Sequence, residues 1–145
     1  MLKPVSVHLL HVEDDELCLM GLYRAFKAAE LANPIHFAHN GIEALEMLRG
    51  TNGRSRLPRP FVILLDLCMP RMGGIEFLQE LRNDEDLKKS VVFILTTSGA
   101  DDDKVKSYNL GVAGYILKTN PANAFIEATA LLETYWRVVE LPAGN

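Results

Sequence analysis

Four short stretches place acids, a hydroxyl and a lysine directly after apolar runs. Glu13-Asp14-Asp15 follows the run from Val5 to Val12, and Asp66 follows Phe61 to Leu65. Thr96-Thr97-Ser98 follows Val91 to Leu95, and Lys118 follows Gly114 to Leu117. Carboxylates gathered at one point repel, each close pair by about 4 kcal/mol at an effective dielectric of about 20. Something must neutralise them. No histidine or cysteine cluster has metal-ligand spacing, and oxygen donors alone select a hard cation. Mg²⁺ suits them because it keeps several waters and leaves positions for a phosphate, although Mn²⁺ and Ca²⁺ satisfy the same donors. Such an ion beside Asp66 and a lysine is suited to phosphoryl transfer, which is mostly positioning and charge neutralisation. Asp66 attacks phosphorus and becomes an acyl phosphate. The cation and Lys118 each hold a phosphoryl oxygen, and the Thr96 hydroxyl donates to a third.

The elements that must position these groups are legible as an alternation. Phe-Val-Ile-Leu-Leu at 61–65 and Val-Val-Phe-Ile-Leu at 91–95 are continuous apolar strands, the pattern of a parallel sheet covered on both faces. A weaker run spans Ile35 to Ala38. Between the runs, apolar residues recur every three or four positions, as on one face of a helix. Leu17, Met20, Tyr23 and Leu31, with Phe26, mark the first helix; Ile42, Leu45 and Leu48 mark the second, with Gly50 as its C-cap. Ile75, Leu78 and Leu81 mark the third, and a weaker helix spans about Asp102 to Leu110 before Gly111. Phe125, Ala128, Thr129, Leu132 and Trp136 mark the last. Five βα units predict a right-handed doubly wound α/β domain, with ligands outside the carboxyl ends of the strands. The segments 51–60 and 83–90 are surface connections.

The 145 residues suit one domain, residues 1–145, with a core over about 5–132 and a helix end and tail at 133–145. Hydrophobic residues make up 48% and charged residues 23%, as in an ordinary globular domain. A formal charge of -4 leaves no footprint for nucleic acid. No apolar run exceeds five residues, so neither a membrane span nor a signal peptide is expected, and the expected compartment is the cytoplasm. Cys18 and Cys68 form no CxxC pair, which argues against structural zinc and a disulfide framework.

The chain resembles a receiver domain of a two-component response regulator. The resemblance rests on Val12-Glu13-Asp14-Asp15, on Leu65-Asp66-Leu67-Cys68-Met69-Pro70-Arg71-Met72-Gly73-Gly74, on Leu95-Thr96-Thr97-Ser98 and on the segment from Gly111 to Lys118, in that order. It implies a flavodoxin-like (βα)5 fold with strand order 2-1-3-4-5. It implies Asp66 as phosphoacceptor and Glu13, Asp14, Asp66 and the backbone carbonyl of Cys68 as Mg²⁺ ligands. Thr96 falls on the switch hydroxyl, Tyr115 on the aromatic switch and Lys118 on the phosphate-binding lysine. The implied protein is a phosphoacceptor switch rather than an enzyme acting on other substrates, and its partner is a histidine kinase. Two positions depart from the usual pattern: Thr119 stands where most receivers have proline, with Pro121 two residues on, and Gly73 takes a place that is often Asp or Asn. The loop at Thr51 to Pro60 and the ending Glu133-Thr134-Tyr135-Trp136 with Leu141-Pro142 are similar to stand-alone receivers that partner bacterial phytochrome histidine kinases. With no output domain expected, the readout is another protein or a homodimer through the last helix and tail.

Plainer roles fit several residues. Asp15 reads as the cap of the first helix, His11 as a satisfied core histidine, and Asp101-Asp102-Asp103 as a cap and solvated helix start. Cys18 reads as a small apolar group. Tyr135, Trp136, Val138, Val139 and Leu141 suit either core and tail or an apolar partner patch. Three rival functions are weaker. A phosphatase resembling the haloacid dehalogenases needs a second Asp where Cys68 stands. A pseudo-receiver would lack site residues that are present here. A flavodoxin-like cofactor binder needs a phosphate-binding glycine loop, and none occurs.

Overall fold

The computed structural model describes residues 6–118 and 121–142. Strands and helices alternate: β1 (His8–Val12), α1 (Glu16–Ala28), β2 (Ile35–Ala38), α2 (Gly41–Arg49), β3 (Phe61–Leu65), α3 (Gly74–Asn83), β4 (Val91–Thr96), α4 (Asp101–Asn109), β5 (Gly114–Leu117) and α5 (Pro121–Val138). All neighbouring strands pair in parallel, in the order β2-β1-β3-β4-β5. The doubly wound sheet is therefore the one expected. Its first strand is shorter than the apolar run, since Ser6 and Val7 precede it and Val5 lies outside the described residues. The last helix runs two residues past Trp136.

Strand alternation splits the core in two. Leu10, Val12, Ile63, Leu65, Val92 and Ile94 face α2 and α3, where they meet Leu45, Leu48, Phe77, Leu78 and Leu81. Leu9, Val62, Leu64, Phe93 and Leu95 face the other way, toward Leu22 and Phe26 of α1 and Phe125, Ala128 and Leu132 of α5. The last helix buries the face its spacing marks, including Thr129.

The first helix does so only in part. Phe26 is buried as marked, and so are Leu19 and Leu22, which the spacing left out, while Leu17 is 81% exposed and Met20 and Tyr23 are also exposed. Two apolar stripes overlap in this segment, and the spacing draws mostly on the outer one. The phase is set by Gly21, where a Cβ would sit 2.4 Å from the Phe125 ring. That side of α1 therefore lies against α5, and the outer stripe turns away from the core. Ile42 is likewise exposed, while Gly41 and Ala44 take the buried side of α2 with Leu45 and Leu48. Phe77, absent from the spacing pattern, is fully buried in α3. Gly50 caps α2 in the left-handed conformation, as expected.

These assignments separate two leucines that look alike in sequence. Leu19→Ala should cost about 2–5 kcal/mol in urea unfolding, and Leu17→Ala no more than about 0.5 kcal/mol.

Candidate functional site

The sheet register builds the site. Val12 pairs with Leu65, so the next residues, Glu13 and Asp66, leave adjacent strands side by side. The Asp66 amide donates to the Val12 carbonyl, and the Glu13 amide to that of Ala38. Thr96 pairs with Leu117, and the Lys118 amide donates to the Thr96 carbonyl at 2.7 Å. Helix α3 starts hard against this edge. A Cβ on Gly74 would lie 2.7 Å from the Asp66 carbonyl oxygen and 2.7 Å from the Leu67 Cα, so only glycine fits. Its neighbour Gly73 is the N-cap and offers no side-chain bond to the helix.

Carboxylate atoms of Glu13, Asp14 and Asp66 lie within 4.8 Å of one another. Glu13 and Asp66 are buried and Asp14 is exposed, so the cluster opens to solvent on one side. Asp66 Oδ1 is buried without a hydrogen-bond partner. Lys118 Nζ donates to Glu13 Oε1 at 2.8 Å, with both side chains almost wholly buried. Burial raises the Glu13 pKa to about 7 against the pull of that bond, and the charge of Asp66 adds to the rise. Burial lowers the Lys118 pKa, but the bond and charge of Glu13, with the charge of Asp66, outweigh it and hold it above the ordinary lysine value. Clustered hard oxygens with an orphaned buried acceptor fit a divalent cation.

Thr96 is fully buried, and its Oγ1 accepts from the Ser98 amide at 3.3 Å. The half-buried Tyr115 donates its hydroxyl to the Ser98 carbonyl at 2.7 Å. Cys68 is exposed beside Asp66. Burial of its sulfur raises the thiol pKa, and Asp66 and Asp103 add to this. Every expected site residue thus reaches one end of the sheet. Thr119 lies outside the described residues.

Some plainer readings change. Asp15 does cap α1, accepting from the Leu17 amide. His11 is buried as expected but not satisfied, because its Nδ1 has no partner; burial first, then the charge of Lys118, depresses its pKa to about 3. Cys18 touches Lys118 Nζ at 3.5 Å, and burial pushes its thiol up to about 11. The N-cap of α4 is Ala100, and Asp103 is not simply solvated, since it accepts from the Ser98 hydroxyl. The sequence gives no separate role to Ser98 and reads Asp103 only as part of a cap and solvated helix start. The exposed stripe of α1 forms a second feature, with Met20, Tyr23 and Phe37 lining an apolar pocket of about 200 Å³.

A fold of this order with acids, hydroxyl and lysine at its carboxyl edge defines a receiver. Residues 9–130 match the response regulator receiver domain family, and the chain belongs to that family. It is a signalling protein of the kind that takes a phosphoryl group on aspartate and works with a histidine kinase. The response regulator Rcp1 of Synechocystis sp. is 32% identical over 143 residues, which cover 98% of this chain and 97% of that one. The phosphorylated cyanobacterial phytochrome response regulator RcpA is 30% identical, with a TM-score of 0.87 over 96% of this chain and 100% of that one. The Mn²⁺-bound form of Rcp1 superposes with a TM-score of 0.84 at 31% identity, covering 94% of this chain and 99% of that one. Among the described residues, no helix is long and apolar enough to cross a membrane.

The buried ion pair can be tested alone. Lys118→Ala leaves Glu13 buried without its cation, and urea unfolding should show a loss of about 3 kcal/mol. This is the low end of the usual range because Glu13 can escape by taking up a proton.

Proposed function

We propose that Asp66 accepts a phosphoryl group from a phosphohistidine of a partner kinase. One Asp66 oxygen forms the new P–O bond as the P–N bond breaks, and the electron pair stays on the imidazole nitrogen, which then takes a proton. The observation that carries this reading is the buried, partnerless Asp66 Oδ1 beside two further carboxylates and the Lys118–Glu13 pair. Glu13, Asp14, Asp66 and the Cys68 carbonyl would hold Mg²⁺, which when bound neutralises charge on the phosphoryl oxygens. Lys118 reaches from Glu13 to a phosphoryl oxygen. The Thr96 hydroxyl donates to another, and its shift carries Ser98 and Tyr115 with it, through the bonds that join them. The chain then catalyses only its own phosphorylation and dephosphorylation.

The name of RcpA, a phytochrome response regulator, supports a phytochrome-type kinase as the partner and light as the signal. In this reading residues 1–145 act as one cytoplasmic receiver domain. The apolar stripe of α1 beside the acids suits the surface such a kinase would cover. We also propose a homodimer through α5 and the tail. Leu131 and Val138, two turns apart, and Val139 are exposed there. Tyr135 and Trp136 serve the chain's own core instead, packing on Phe93 and Phe26 with ring centroids 4.9 and 6.0 Å apart.

Incubation with Mg²⁺ and acetyl phosphate should add one phosphoryl group by intact mass, and none in Asp66→Asn or without a divalent cation. An adduct surviving in Asp66→Asn would move the acceptor elsewhere. For the dimer, sedimentation should show dissociation of Leu131→Glu/Val138→Glu at concentrations where the native chain is dimeric. A native chain that is monomeric at tens of micromolar, phosphorylated or not, would refute the interface.

A further inference from the structure

The end of the sheet opposite the acids carries a pocket of about 510 Å³. Its lining comes from the ends of α3 and α4, the start of β4, the residue before β5 and Tyr135 of α5. Arg82, Lys88 and Lys89 line it, and none of the described carboxylates does. This runs against the balance of the whole chain, which has 19 acidic residues to 15 Lys and Arg. Arg82 is the fixed point. It donates from Nε to the Leu110 carbonyl at 2.6 Å, from Nη2 to that of Gly111 at 3.1 Å and from Nη1 to those of Lys88 and Ser90 at 2.8 Å. All four acceptors belong to residues that line the pocket, so these carbonyls are already engaged. The bonds leave one of the five N–H groups of the guanidinium, on Nη2. Among the described residues, neither Arg82 nor Lys89 enters a salt bridge, while Lys88 pairs with the exposed Glu85 at 2.8 Å. Half-buried Arg82 therefore lacks a counter-charge, and burial pulls its pKa below the ordinary arginine value.

A cationic pocket with its carbonyls engaged suits a ligand that accepts hydrogen bonds and carries negative charge. The occupied fork of Arg82 cannot grip a carboxylate through two parallel bonds. The lysines act as point charges, which suit the spread charge of a phosphate. The sum of charges agrees: three cations less the Glu85 carboxylate leave two positive charges, which a phosphate ester matches and a single carboxylate does not. The volume lies within the range of small-molecule sites, about 300–1,000 Å³, and exceeds what a bare phosphate needs. Val91, Leu110 and Tyr135 offer surface to an organic body. The amides of Ser90, Gly111 and Ala113 donate inside the fold, so the grip is by side chains and needs no glycine loop. We propose that this pocket binds a phosphorylated small molecule of nucleotide size. The site is separate from the acids at the other end of the sheet and goes beyond the phosphoryl chemistry of Asp66.

The test is an amide NMR titration of the full chain with ADP as the probe. EDTA is present, so that no cation carries the nucleotide to the acids. Resonances around Ser90 and Gly111 should shift and saturate with a Kd below about 1 mM, while those of Glu13 and Asp66 stay in place. Adenosine, which lacks the phosphates, and citrate, which carries only carboxylates, should each bind at least about tenfold more weakly. Lys88→Ala/Lys89→Ala should weaken ADP by about tenfold, the share of one charged hydrogen bond. Asn109→Glu puts a carboxylate into the lining without touching the bonds of Arg82, and should abolish binding. Arg82 itself is left unchanged, because its bonds join three segments of the fold. Absence of saturable shifts, adenosine or citrate as tight as ADP, or wild-type affinity in either variant would overturn the site. Shifts centred on Glu13 and Asp66 would put the nucleotide at the acids and overturn it too. Failure of Asp66 to take a phosphoryl group would leave these results untouched, so the two readings fail separately.

Discussion

Three carboxylates within 4.8 Å of one another repel, and the architecture exists to hold them there. The force that does so is remote from the charges. Pairing of β1 with β3 brings Val12 beside Leu65, and β3, buried at every position, with β1, buried at all but His8, keeps that register. A slip of one residue would turn each side chain to the opposite face, so the core of the domain enforces the geometry of the acids. Lys118 offsets part of the repulsion through Glu13, and a divalent cation offsets the rest.

The same logic explains why the fold and most helix faces were readable while the phase of α1 was not. Strand β3 is apolar at every position, so its depth in the sheet needs no tertiary information. Asp66 after it then marks the edge. Helix α1 carries two apolar stripes, Leu17-Met20-Tyr23 and Leu19-Leu22-Phe26, and spacing alone cannot rank them. The choice depends on Phe125, more than a hundred positions away, which needs the space that Gly21 leaves. Ile42 and Phe77 are narrower misses: Leu45, Leu48, Leu78 and Leu81 are buried as marked, while packing against the sheet leaves Ile42 outside that face and adds Phe77 to it.

The roles of Ser98 and Asp103 were also hidden. Asp103 stands in an acidic helix start that reads as a cap, and Ala100 proved to be the cap. Only the folded chain shows that Ser98 and Asp103 bond to each other and that Tyr115 bonds to the same serine. His11 carries a comparable lesson. Its place on the inner face of β1 was legible, but its unpaired Nδ1 was not, because satisfaction depends on which atoms surround the ring.

The outer stripe of α1 and the neighbouring Phe37 belong to neither core. Their side chains can be exchanged for others with little effect on folding, since nothing inside the domain depends on their shape. The residues of α1 that hold the core together are therefore separate from those it leaves open to solvent. A chain built this way can change the company it keeps by a few surface substitutions, and duplicate copies in one cell can drift apart in their choice of partner while the phosphoryl chemistry stays intact.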